Sequence, residues 1–397
     1  MTPDTLALDA DPPRAATPWI TLLLAFACGL IVANLYYAQP LAGPIGAALG
    51  LSPGATGLIV TLTQVGYGLG LLFVVPLGDL VETRKLVTTL IGLAMLALLG
   101  VALSTSPAPF FAATLGIGLA SVAAQVLVPY AAHLAPEAQR GRVVGNVMSG
   151  LMTGIMLARP VSSAIAQLAS WHAVFFMSAA AMALLAALLF VALPQRRPSA
   201  ALSYGALLVS MGRLARTTRV LQRRALYHAA MFGAFSVFWT TVPLQLAREF
   251  HLSQGGIALF ALAGVAGAIA SPIAGRLADA GHTRAATVFA MLAVIAAFGL
   301  TRLAEPGTHF GLGLMVVAGI VLDFGVTTNV VLGQRAIFAL GADIRSRLNG
   351  VYMATFFAGG AIGSALGGLA FAHGGWPLAT WLGIALPLAA LAYFATE

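Results

Sequence analysis

Two ionisable side chains lie where an apolar chain should have none. Asp323 falls inside "GLMVVAGIVLDFGVTTNVV" and Arg159 inside "GIMLARPVSSAIA". A charge within such a run is expensive and marks a paired, ligand-binding or proton-handling position. Desolvation favours the neutral form of a carboxylate and a neighbouring charge tunes it. Asp323 is therefore the candidate proton carrier, the other reading being an Asp hydrogen-bonded to a neighbouring helix. Arg159 lies roughly 25 Å along a helix from Arg142, too far to snorkel back to that end. Either it reaches headgroups at the opposite face, or it is a buried cation that needs a partner or an anionic ligand. His228 is a weaker proton-carrying alternative and reads equally as an interfacial histidine.

A second set of charges is duplicated. Asp79 stands before Arg84 and Lys85 in "PLGDLVETRK" with the same spacing that separates Asp279 from Arg284 in "GRLADAGHTR". A further echo joins "RVVGNVMSGLMTG" to "RLNGVYMATFFAG", aligning Arg142 with Arg347, Gly145 with Gly350, Met148 with Met353, Gly154 with Gly359 and Trp171 with Trp376 at one constant offset. A chain that repeats itself at half its length consists of two homologous halves, the arrangement by which membrane transporters alternate access. A carboxylate at Asp79 or Asp279 can accept hydrogen bonds at the positive N-terminal end of a neighbouring helix. Such a latch is worth about 0.3 to 2 kcal/mol and would favour the state in which the halves meet at that face.

These residues need elements to hold them, and composition fixes what kind. The chain of 397 residues is 60% hydrophobic and 8% charged, with a mean hydropathy of +0.95, which leaves too little polar surface to coat a water-soluble globule. In a bilayer every backbone polar group must be paired internally, so spans are helices or a closed barrel. The apolar runs have helix length and lack strict alternation. The reading is an all-α integral membrane protein with twelve spans, roughly 18–40, 55–77, 86–104, 109–133, 142–168, 172–193, 224–247, 253–277, 284–303, 308–335, 347–372 and 376–395. It divides into an N-terminal tail (1–17), a six-helix bundle (18–193), a basic linker (194–223) and a second six-helix bundle (224–397). Part of the linker, "LLVSMGRLARTTRVLQRRAL", reads either as an amphipathic surface helix carrying Arg213, Arg216, Arg223 and Arg224 or as a solvated loop.

Loops rich in Lys and Arg stay cytoplasmic. Apart from Arg248 and Arg302, and the span residues Arg159 and Arg335, every basic residue falls on one side, including Arg14, Arg196 and Arg197. Both termini are therefore expected in the cytoplasm. The net charge of +8 follows from this asymmetry and from anionic lipid, with no nucleic-acid partner. The single cysteine, Cys28, excludes an intrachain disulfide and a thiolate cluster, and the first span runs too long for a cleaved signal.

Twelve spans in two halves, a basic central loop and the duplicated Asp/Arg signature resemble the major facilitator superfamily. Gly275, Asp279, Gly281 and Arg284 carry the second copy, with Ala280 replacing a base. The first copy keeps Asp79, Arg84 and Lys85 but has Val75 and Glu82 where the family has glycines. "ANLYYAQPL", "TQVGYGLGLL", "APEAQRGRVVGNVMSG" and "GIMLARP" are similar to the bacterial drug/proton antiporter and arabinose-efflux-permease-like group. The resemblance implies a monomer in a bacterial-type inner membrane that exports a small molecule against protons by rocking of the halves, with the Asp/Arg signature as conformational latch. It also implies that spans one, four, seven and ten line a central cavity. On them lie Asn34, Tyr36, Tyr37, Gln39, Gln125, Phe235, Trp239, Gln245, Asp323 and Asn329, joined by Arg159 on span five and by Gln64 and Tyr67 on span two; Tyr36 and Tyr37, being adjacent, cannot both face its centre. Aromatic walls with amides suit a moderately polar or amphipathic cargo.

Small residues recur every fourth position at Gly150 and Gly154 and at Gly359, Gly363 and Gly367, with Gly360, Ser364 and Gly368 beside the latter. That spacing lets helix backbones approach, either as fixed packing or as a surface on which the halves rock. Enzymatic readings lack their parts. No phosphate-cradling loop, metal-ligand cluster among the seven histidines, cofactor motif or nucleophile with its base is present. Proton-coupled efflux leads; uptake or facilitated diffusion of a sugar or organic anion is the alternative transporter reading, and a non-transporting receptor or intramembrane enzyme the alternative of a different class.

Overall fold

The computed structural model describes residues 18–195, 203–303, 305–341 and 344–397. Arg14, Arg196 and Arg197, the 1–17 tail and linker residues 196–202 lie outside them. Among the described residues, nine helices are long and apolar enough to cross a membrane: Pro53–Asp79, Thr83–Ala102, Pro107–Leu134, Trp171–Ala192, Arg219–Glu249, Gln254–Asp279, Thr283–Leu300, His309–Phe338 and Arg345–Phe394. Pro18–Ala33 and Arg140–Leu168 complete the first half. The last helix is two spans, because Gly375, at φ 60° and ψ −155°, breaks it in a left-handed conformation that only glycine adopts cheaply. The twelve expected spans are thus all present, and below they are numbered one to twelve in chain order.

Helix ends follow their local chemistry. Ser170 and Thr308 cap spans six and ten by accepting from the N–H of Ala173 (3.3 Å) and Gly311 (3.0 Å). Span four starts with Pro107, whose missing N–H costs nothing there. Span one departs from expectation: its α-helix stops at Ala33, not near residue 40, and the chain continues in tighter i→i−3 turns (Leu35 to Val32, Tyr36 to Ala33, Gln39 to Tyr36) before a short helix at Ala42–Ala48. The residue before a proline is pushed out of the helical region, and Gln39 precedes Pro40. Span eight is also interrupted, by a 3-10 stretch at Leu262–Ile269. The linker forms an amphipathic helix, Tyr204–Thr217, with Leu207 and Met211 buried and Arg213 and Arg216 exposed. Arg223 and Arg224 belong instead to span seven, which begins at Arg219.

Each half is locked by glycine. A Cβ at Gly154 would sit 2.1 Å from the carbonyl oxygen of Gly29, and one at Gly150 2.3 Å from that of Ala25, so spans five and one touch backbone to backbone. The second half repeats this between spans eleven and seven: Gly359 meets the Ala229 carbonyl at 2.2 Å and Gly363 that of Gly233 at 2.2 Å. The Gly359/Gly363/Gly367 stripe therefore packs within its own half. The neighbouring stripe faces the other half. Ser364 Oγ bonds Thr61 Oγ1 at 2.7 Å, and Gly368 meets the backbone of Gly57. The halves also join where Gly255 N–H donates to Gln167 Oε1 at 3.0 Å, linking spans eight and five at the end far from the basic loops. At the basic end, a Cβ at Gly141, Gly145 or Gly275 meets nothing. The interface between spans five and eight is closed at the far end.

Gly154→Ala and Gly363→Ala should each lower the thermal midpoint of the purified protein, by about 1 to 3 kcal/mol of overpacking or more, because backbone cannot yield as a side chain can. Gly145→Ala, made into open space on the same helix as Gly154, should leave the midpoint unchanged or raise it. Equal midpoints for all three would contradict the packing described.

Candidate functional site

The tightened end of span one sets the site. With three residues per turn, positions i and i+3 eclipse, so Tyr36 and Gln39 present to the same side. There they meet Arg159. Its Nε donates to Gln39 Oε1 at 2.8 Å, and its guanidinium carbon stands 5.3 Å from the Tyr36 ring centroid. Arg159 precedes Pro160 in the middle of span five, where the ring removes a helical hydrogen bond and loosens the turn.

The second half completes the cluster. Arg159 lies over Trp239 at 4.2 Å and over Phe235 at 5.0 Å, both from span seven. Trp239 turns its edge to span ten, where Nε1–H donates to Asp323 Oδ1 at 2.8 Å. One indole thus offers its negative face to a cation and its positive N–H edge to an anion. Pro243 frees the carbonyl of the Trp239 turn as Pro160 does in span five. Between the charges is Gly264, in the 3-10 stretch of span eight: a Cβ there would come 2.8 Å from Asp323 Oδ2, 3.2 Å from Trp239 and 3.3 Å from Arg159 Nη1. Arg159, Trp239, Gln39 and Asp323 are all buried, Arg159 to 2% exposure. Two donors in the cluster have no hydrogen-bond partner, Arg159 Nη2 and Gln39 Nε2.

Of the sequence-predicted cavity residues, Gln39, Arg159, Trp239 and Asp323 are brought together. Tyr36 faces the same cation, while half-buried Tyr37 turns elsewhere. Gln64 crosses between the halves to Ser236 Oγ at 3.1 Å, and Tyr67 packs on Phe357 at 4.5 Å. Asn34, Gln125 and Asn329 bond within their own half. Asn34 accepts from Ser178 (2.5 Å), Gln125 donates to Tyr67 (3.0 Å), and Asn329 meets His228 Nδ1 at 3.1 Å, with His228 stacked on Phe356 and Tyr352. Sequence reasoning missed Gly264 and Ser236. The glycine-rich "ALAGVAGAIASP" was the available signal for the break in span eight.

The duplicated signature adopts two arrangements. Asp79 is exposed and lines a small cavity of about 20 Å³ with Ser346, Arg347 and Gly350, at the start of span eleven in the other half. Arg84 and Lys85 pair with Glu82 at 3.6 Å each, and Arg84 also donates to the Phe190 carbonyl at 3.3 Å. Asp279 is paired inside its own half, 2.6 Å from Arg335 Nη1, which also donates to the Gly275 carbonyl at 3.0 Å. Gly281 makes the following turn at φ 78°, and Arg284 covers the Phe394 ring at 5.1 Å. Among the described residues no group of His, Cys, Asp and Glu is placed to hold a metal ion.

Comparison with known proteins gives this architecture a family. A model of the Major Facilitator Superfamily matches residues 21–342 and 224–397. An uncharacterized transporter of Escherichia coli O157:H7, YgaY, is 40% identical over 366 residues, covering 92% of each chain. A probable transporter of Streptomyces coelicolor is 34% identical over 371 residues, covering 92% of this chain and 84% of its own. Among solved structures, the inward-facing, unoccupied bacterial homologue of the human lysosomal transporter Spinster shares the fold at TM-score 0.75 and 14% identity, covering 97% of both chains. The nucleoside transporter NupG does so at 0.71 and 16%, covering 94% of this chain and 99% of its own. The chain belongs to the major facilitator superfamily and is a multi-pass membrane transporter of small molecules, not an enzyme.

Proposed function

We propose that this transporter exports its cargo in exchange for protons, by rocking of its two halves, with Asp323 as the proton-carrying group. The basic end faces the cytoplasm of a bacterial-type inner membrane, both termini lie on that side, and the unit is a monomer. One observation carries the coupling: Asp323, the only acid buried within a span among the described residues, is set beside a buried guanidinium that belongs to the opposite half. An ionised Asp323 attracts Arg159 and holds the Trp239 edge, which favours closure of the far end. Protonation removes that attraction. A proton therefore acts as a ligand that binds the two conformations unequally, and only such a ligand can shift their populations. Export is the direction implied by the sequence resemblance.

A second reading, uptake or facilitated diffusion of a sugar or organic anion, is favoured by the unpaired donor on Arg159. The two separate in proteoliposomes carrying a cargo found by a thermal-shift ligand screen. With a proton gradient imposed, export should accelerate, collapse of the gradient should abolish the acceleration, and Asp323→Asn should lose at least about tenfold of it, the scale of a lost charge-assisted interaction. Export indifferent to the gradient, together with a neutral Asp323→Asn, would sink proton coupling.

The duplicated signature generates its own prediction. Asp79 sits at the N-terminal end of span eleven, where the helix dipole favours an anion by about 0.3 to 2 kcal/mol. Asp79→Asn should raise cysteine labelling at the basic end and slow exchange. Wild-type labelling and exchange would remove Asp79 from the latch.

A further inference from the structure

Arg159 is arranged asymmetrically. Its Nη1 stands on the Gly264 and Asp323 side, yet guanidinium and carboxylate make no direct ion pair, because Asp323 is held by the Trp239 N–H instead. The opposite edge of the guanidinium, Nε with Nη2, is the planar fork that matches a carboxylate bidentately. Here that fork meets only one acceptor, Gln39 Oε1 on Nε, and Nη2 is left without a partner in a buried setting. Gln39 Nε2 is a second orphaned, buried donor on the same side chain that receives Nε. A buried donor left unpaired is costly, the more so on a charged group. Two such donors belong to side chains already bonded to each other, and neither meets an acceptor among the described residues.

We infer that the Nε/Nη2 edge of Arg159, together with Gln39 Nε2, is the subsite for the anionic head of the cargo, and that the cargo class is an amphipathic organic monocarboxylate. One oxygen of a carboxylate supplies the acceptor that Arg159 Nη2 lacks and the other does the same for Gln39 Nε2, while Gln39 Oε1 keeps Nε. The walls specify the rest of the molecule: Tyr36, Phe235 and Trp239 surround the guanidinium with aromatic surface, which suits an apolar or aromatic body behind the charged head. Asp323 lies on the far side of the cation and excludes a second negative group, which limits the cargo to one charge. This inference rests on the reading that cargo occupies the interface between the halves. It does not depend on the direction of transport or on the coupling ion.

The test is binding, by calorimetry on the purified full chain, of acetate, benzoate and octanoate against benzamide, the neutral isostere of benzoate. Benzoate and octanoate should bind at least about tenfold more tightly than benzamide, the scale of one charge-assisted hydrogen bond, and acetate more weakly for want of a body. Arg159→Gln should lose this preference. Because that variant removes a buried charge, Gln39→Glu provides the second arm: it is nearly isosteric, and it places a carboxylate of the chain's own against the fork. Gln39→Glu should keep its thermal midpoint and lose benzoate binding by about tenfold or more. Benzamide binding as tightly as benzoate, none of the three carboxylates binding, or Gln39→Glu binding benzoate like the unaltered protein would each overturn the subsite. Failure here is distinct from failure of proton coupling: a protein that binds carboxylates yet transports without regard to the proton gradient keeps this site and loses the coupling, and the reverse result does the opposite.

Discussion

The hydrocarbon of a bilayer offers no water to a charge, so one buried within a span must be satisfied by the chain, by a cavity it lines or by its ligand. The effective cost of burying an ion is several kcal/mol even after relaxation. Arg159 meets that constraint with groups from both halves: Gln39 and Tyr36 from the first, Phe235 and Trp239 from the second, with Asp323 behind the indole. Much of the local backbone serves this one solvation problem. Span one tightens its pitch so that Tyr36 and Gln39 share a side, span eight gives up its α-helix where Gly264 passes between the charges, and spans five and seven carry a proline next to Arg159 and one turn after Trp239.

The scaffold around that site is symmetric, and the site is not. Glycines fuse span five to span one and span eleven to span seven by the same backbone contact. The face that each of spans five and eleven turns to the opposite half is where they part. On span eleven it carries Ser364, bonded to Thr61, with Gly368 against Gly57, a small and neutral seam. On span five the position equivalent to Ser364 is Arg159. A neutral seam slides at little cost, whereas a charged cluster resists separation until something replaces its partners. Duplication thus supplies two similar joints, and divergence at one position gives only one of them a charge to be neutralised.

The fold was legible because membrane helices announce themselves. Runs of apolar residues long enough to span, together with a repeat at half the chain length, left little room for another architecture. Arg159 and Asp323 were legible for the same reason, since a charge in an apolar run stands out against its surroundings. What could not be read was direction around the helix and departures from helix. Tyr36 rather than Tyr37 faces the cation on a stretch where the backbone has switched to i→i−3 turns after Ala33, a switch that helix spacing does not announce. Asn34, Gln125 and Asn329 look like cavity residues by span and polarity, but each finds a partner in its own half, a contact fixed by tertiary packing rather than by spacing. Asp279 and Arg335 lie 56 residues apart, on different spans, and nothing local to either predicts their 2.6 Å contact.

The placement of the charged cluster bears on how conformation and occupancy are tied. The guanidinium and Gln39 belong to one half, while the indole, the carboxylate and Gly264 belong to the other. Any movement that parts the halves at this end must lift Arg159 off the Trp239 face, and with it goes a cation–π contact worth about 2 kcal/mol or more when desolvated. Water entering the gap, or an anionic group filling it, would offset that loss. The penalty for opening is then lowest when the gap is occupied, which is the energetic form that coupling must take: a ligand changes the balance of states only by interacting with them unequally. Trp239 is the pivot, for among the described side chains it stacks on the cation and also donates to the carboxylate. Removing either charge leaves the indole with one partner, while removing the indole separates the charges across a glycine that offers neither of them a side chain.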